Sequence, residues 1–140
     1  MLKSEIQEEI NRLRRQISNY EKSKSKAISE QKELIAVIDN IGKKASEIED
    51  GLQQTLSTID MKLSKVNPKS RFPELYRNAA KERIMNSNSS NALAETKEAI
   101  RVGQKKCAEY DETIKHYSSL IRQKEYEIEQ LKRMLNEAVE

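Results

Sequence analysis

The stretch "LIAVIDNIGKKASEIEDGL", residues 34–52, places apolar side chains at Leu34, Ile38, Ile41, Ala45, Ile48 and Leu52. The steps alternate between four and three, which lines side chains along one stripe of an α-helix and, when sustained, makes the seam of a coiled coil. A half-buried strand would alternate every second residue, and a disordered segment would hold no period. Most of the remaining positions are charged or small, so the stripe is the main apolar surface this helix has to bury.

The period runs outward in both directions. Toward the N-terminus it passes through Ala27, Tyr20, Ile17, Leu13, Ile10 and Ile6, with Gln31 and Lys24 as polar breaks. Toward the C-terminus it slips by one residue and resumes at Leu56, Ile59, Leu63 and Val66, a stutter-like change of phase. Pro68 then lacks an amide hydrogen and disfavours helical geometry at Asn67. The spacing therefore predicts one long helix over about 3–66. Gly42 and Gly51 each cost about 1 kcal/mol relative to Ala inside a helix, yet the seam keeps its register through both.

A second seam passes through Leu93, Thr96, Ile100, Gly103, Cys107, Tyr110, Ile114, Tyr117, Ile121, Lys124, Ile128, Leu131, Leu135 and Ala138 and predicts a helix over about 91–138. Residues 67–91 read as a tip. Pro73 suits the first turn of a short helix over about 73–85, and "NSNSSN" at 86–91 supplies turn and capping residues. The expected fold class is all-α: a single domain over 1–140 forming an elongated, coiled-coil-like antiparallel helical hairpin, with a short helix or irregular tip between its two long helices.

Pairing residue 66 with 91 sets 138 near 19, Lys124 opposite Glu33, and Gly103 close to Gly51. Residues 1–18 then have no opposing helix, and Ile6, Ile10, Leu13 and Ile17 are expected to bind a partner, each with about 1.5–3 kcal/mol to gain from burial. Ile28 and Ile35 broaden the apolar face toward what a bundle of three or more helices needs. Phe72, Leu75 and Tyr76 make an apolar patch at the tip, a candidate anchor for the same partner.

Composition bounds the function. Of 140 residues, 35% are charged, 36% hydrophobic and 4% aromatic, too little bulky apolar material for a compact core and suited to long amphipathic helices. The net charge of +3 is local: residues 67–90 carry five basic and two acidic side chains, while 1–66 and 91–140 are nearly balanced. No basic stripe of the kind nucleic acid requires is present. Cys107 has no second cysteine to pair with, and His116 has no further ligands at metal spacing. Acidic pairs such as Glu8 with Glu9 lack the cleft that would shift their pKa values. No catalytic residue, metal ligand or cofactor is expected. No apolar run approaches the ~18 residues of a membrane span, and "MLKSEIQEEI" has no signal-peptide core. The expected location is the cytoplasm, with any export by a route needing no cleavable signal.

The pattern of "EINRLRRQISNYEKSK", "LIAVIDNIGKKASEIEDGL" and the return arm "YDETIKHYSSLIRQKEYEIEQLK" resembles the small helical proteins encoded beside LXG toxins of Gram-positive bacteria, which are similar to the Trp-x-Gly hairpin substrates of type VII secretion. This chain has no Trp, and Tyr76, Tyr110, Tyr117 and Tyr126 are not followed by an acidic residue four positions on, so no motif residue carries over. The resemblance implies a targeting or chaperone-like role: pairing with the helical N-terminal domain of a toxin, together with a second small helical protein, for export. The alternatives are a self-associating coiled-coil tether or scaffold and a prefoldin-like subunit, whose tip hairpins 67–91 lacks. A nucleic-acid-binding rod is the most distant.

Overall fold

The computed structural model describes residues 2–63 and 72–138, apart from the side chains of Leu63, Phe72 and Pro73. Three helices follow in order: α1 (Lys3–Leu63), α2 (Phe72–Met85) and α3 (Asn88–Glu137). No strand occurs among the described residues. α1 and α3 pack against each other with α2 between them in the chain, the all-α hairpin that the two seams predict. The expected stop at Val66 to Pro68 lies outside the described residues.

Local signals account for the helix ends. Glu5 reaches back to accept a hydrogen bond from the Leu2 amide at 2.9 Å, half of a capping box. α2 places Pro73 in its first turn and ends at Met85. The Ser87 hydroxyl then accepts from the Ser90 amide at 3.1 Å and caps α3. Only Asn86 and Ser87 separate the two helices. Gly42 and Gly51 sit within continuous helix.

The chain divides into two compact units, Met1–Leu34 with Lys105–Glu140, and Ile35–Gln104. In the first, the beginning of α1 runs antiparallel to the end of α3. Ile6, Ile10 and Leu13 are each only 1% exposed and cluster with Ile128, and Ile17, Leu131, Leu135 and Ala138 pack around them. Ala27 and Ile121 are also buried. Toward the other end of this unit, Tyr20 packs on Tyr117 with ring centroids 6.2 Å apart.

The second unit pairs the rest of α1 with α2 and the start of α3. Asp60 meets Arg77 at 2.7 Å, Glu49 meets Lys97 at 4.0 Å, and Ile38 lies against Gly103. Falling numbers on α2 and α3 thus meet rising numbers on α1. Ala45 is the one buried residue here among those described. The seam residues Ile38, Ile41, Ile48, Leu52, Leu56 and Ile59 are half-buried.

This register differs from the 66-with-91 pairing by about five helical turns, and the same offset is seen within each unit. The cause is visible in the second unit. α2 does not cap the hairpin: it already runs back along α1, with Ala80 and Ile84 beside Ile59 and Thr55. The return arm therefore starts at α2 rather than at residue 91. Three expectations change with it. Ile6, Ile10 and Leu13 are not an uncovered stripe but the most deeply buried side chains described, with Ile17 packed beside them. Lys124 pairs with Glu127 at 3.7 Å instead of facing Glu33. Gly103 lies against Ile38, not Gly51, and an added Cβ there would come within 2.9 Å of two Ile38 side-chain atoms.

Two predictions follow from this packing, both read from urea denaturation midpoints. Ile10→Ala costs about 2–5 kcal/mol through lost burial and a residual cavity, whereas Val102→Ala, at an exposed site, stays within about 0.5 kcal/mol. An Ile10→Ala loss below that range would place the N-terminal stripe in solvent. Gly42→Ala and Gly51→Ala each gain about 0.5–1 kcal/mol, because nothing lies within 4 Å of an added Cβ at either. Gly103→Ala gains nothing or loses stability, since displacing Ile38 offsets the helix propensity. Equal gains at all three glycines would contradict the close approach.

Candidate functional site

Of the residues expected to bind a partner, Ile6, Ile10 and Leu13 are inside the first unit, and Ile17 and Ile28 are half-buried. The Phe72 side chain lies outside the described residues. Ile35, Leu75 and Tyr76 do reach the surface, at 44%, 60% and 49% exposure. All three belong to the second unit. Val37, Val102 and Met85 are exposed apolar side chains of the same unit.

Exposed apolar residues are common singly, so the shape of the surface matters more than their number. Two grooves mark it. The larger, about 400 Å³, lies between the end of α1 and α2, with Ile59 and Thr55 on one wall and Tyr76, Ala80 and Ile84 on the other. Arg83 and Ser87 also line it. A smaller one of about 330 Å³ lies between Ile41, Lys44 and Ile48 of α1 and Glu95, Thr96 and Ala99 of α3. Small residues contribute to the α2 and α3 sides, Ala79 and Ala80 in the first and Thr96 and Ala99 in the second.

The sequence marked Tyr76 but did not assign Ile59, Ala80 or Ile84 to a surface. Tyr76, Ala80 and Ile84 recur every four residues along α2, a signal that exposes one face. It identifies an apolar face without saying what lies across from it.

The first unit presents a different surface, a lattice of polar contacts across its helices. Gln31, one of the two breaks in the first seam, donates from Nε2 to the Cys107 carbonyl at 3.1 Å and to Asp111 Oδ1 at 2.7 Å. The Tyr110 hydroxyl donates to Glu30 at 3.1 Å, and the Lys106 ammonium lies 5.3 Å from the Tyr110 ring centroid. The Glu30 hydrogen bond holds the Tyr110 hydroxyl above its ordinary pKa, with desolvation and the Glu30 charge adding and Lys106 opposing. Near the N-terminus, Arg12 donates to Glu9 and, with the Lys124 charge, holds that carboxyl below the ordinary value. Of these, the Gln31 and Tyr110–Glu30 contacts cross between the two helices and hold them in register, while the Arg12–Glu9 pair lies within α1. Glu30, Lys106 and Tyr110 also line a groove of about 300 Å³ between the two helices, with Lys26, Glu109 and Tyr117.

No group of three or more His, Cys, Asp or Glu side chains able to hold a metal occurs among the described residues. No helix among them is long and apolar enough to cross a membrane.

The raised Tyr110 pKa carries a sign. A group whose folded pKa exceeds its unfolded one contributes its stability fully below the unfolded value, here 10.0, and loses it as pH rises through the folded value. The stability difference between the native chain and Tyr110→Phe is therefore present at neutral pH and disappears in strongly alkaline buffer. Denaturation curves of both proteins at pH 7 and well above 10 measure it; a difference unchanged between the two conditions would deny the hydrogen bond a role.

Comparison with family models, with curated proteins and with solved structures found no match.

Proposed function

We propose that this chain is a non-catalytic helical binding module that takes helices of another protein onto its second unit. The observation that supports this reading is the contrast between the units. The first buries Ile6, Ile10, Leu13, Ile121 and Ile128 while leaving Leu2, Tyr126 and Met134 exposed, whereas among the described residues of the second only Ala45 is buried and the seam isoleucines stay half-buried after its own helices have paired. Two helices cover one stripe on each other, and the broader apolar face that remains is what a third helix covers in a bundle. The resemblance to the proteins encoded beside LXG toxins narrows the partner to the helical N-terminal domain of a secreted toxin. On that reading the chain acts as a targeting or chaperone-like subunit that meets the toxin in the cytoplasm before type VII export. Its N-terminal stripe contributes by holding the first unit together, not by contacting the toxin.

Co-expression with the protein encoded beside it tests this reading. The expected outcome is a stable one-to-one complex, with amide exchange slowed on α2 and on the α1 segment beyond Ile35, and exchange around Ile10 unchanged. A chain that remains a monomer and recovers no neighbour would overturn it. A chain that assembles into a homo-oligomer without a neighbour would favour the structural tether instead.

A further inference from the structure

The two grooves of the second unit share a wall. Ile41, Lys44, Ile48, Thr55 and Ile59 are spaced along α1 by three, four, seven and four residues, steps that keep them on one narrow face of a helix. From Ile41 to Ile59 this face runs about 27 Å at 1.5 Å per residue. The opposite wall passes from Ala99 and Thr96 on α3 to Ile84 and Ala80 on α2. A track of two walls, apolar at its floor and about five helical turns long, has the dimensions of one more helix.

Charge distinguishes its two ends. At the α1–α3 end, Lys44 and Glu95 face each other across the groove and offset one another. At the α2 end, Arg83 is the charged residue of the lining, and no acidic residue joins it there. It makes no ion pair with any described residue. The segment 67–90 that holds α2 carries five basic and two acidic residues, and Asp60 is already engaged with Arg77.

We infer that this track seats an amphipathic helix of another protein, about five turns long, apolar toward α1 and acidic at the end lying beside α2, where its carboxylates meet Arg83. The seat rests on the binding-module reading and adds to it a location, a polarity and a charge. A second copy of this chain is a competing occupant, separated by the experiment below.

Two helix-stapled peptides of roughly 18 residues serve as probes, alike in an apolar Leu and Ala edge and differing only in Glu or Lys at one end. Binding to the full chain is followed by fluorescence anisotropy. The Glu peptide binds about tenfold more tightly than the Lys peptide, Arg83→Glu reverses that preference, and Ala79→Arg, at an exposed lining position, removes binding of both. High salt narrows the preference. Equal binding of the two peptides, binding of neither, or binding indifferent to both substitutions would overturn the seat. So would sedimentation showing a dimer of the chain that Ala79→Arg dissociates, which would make a second copy the occupant. The co-expression complex separates the two levels: a neighbour recovered equally well by the native chain and both variants sinks the seat and leaves the binding module standing. Failure to recover any neighbour sinks the module itself.

Discussion

An antiparallel pair of helices shelters one stripe of side chains on each partner, and this limit governs the rest of the structure. Where the stripe is filled with long aliphatic residues on both helices, as with Ile6, Ile10 and Leu13 against Ile128 and Leu131, two helices suffice to exclude water. Each of those side chains contributes about 1.5–3 kcal/mol on burial. Where small residues occupy the facing positions, as with Gly103, Ala99 and Ala80, the helices approach but their isoleucines are left partly in solvent. One fold therefore yields a closed unit and an open one.

The existence and phase of α1 and α3 were legible because periodicity is a one-dimensional property, and a sustained three-and-four spacing admits few other readings. The cap was legible only as a Ser and Asn tract over 86–91, since capping residue types rather than periodicity mark it, and α3 begins at Asn88, about three residues earlier than expected. Register was not. A heptad seam looks nearly the same after a shift of seven residues, so the alignment of Ile6 with Ile128 rather than with solvent depends on where the chain turns. That point was misplaced because α2, separated from α3 by Asn86 and Ser87 and only weakly amphipathic, read as a connector. Its contacts with Thr55 and Ile59 make it the opening segment of the return arm. The candidate surface was legible in part. Of the expected residues Tyr76 lines one groove, Ile35 and Leu75 are exposed in the same unit without lining either, and Ile59 and Ile84 join it only through a helix pairing that sequence spacing does not encode.

Polar residues supply part of the specificity that the seam lacks. Gln31 interrupts an apolar line at a cost in burial, but its amide reaches both a backbone carbonyl of α3 and Asp111. A slide of one heptad would present it with a different carbonyl and remove the Asp111 acceptor. Tyr110 with Glu30 adds a second such pin one residue away on α1. Polar groups at seam positions are a known means of choosing among registers that hydrophobic contact alone leaves nearly equal. The exposed ion pairs do less: Glu49 with Lys97 and Glu98 with Arg101 are largely solvated, where such pairs contribute little.

The uneven burial also separates what holds the molecule together from what it offers to others. A side chain already at 1% exposure cannot meet a partner unless its own helices part, so the most hydrophobic stripe of this sequence is the least available one. Availability is found where burial is incomplete, and there small residues on α2 and α3 perform two tasks. They let α1 approach its partners closely, and they leave a trough beside it that an added side chain from outside can fill. A binding surface made this way needs no cleft, metal or reactive group. It needs helices that stay paired while still exposing part of the face they share, which is the condition the second unit meets.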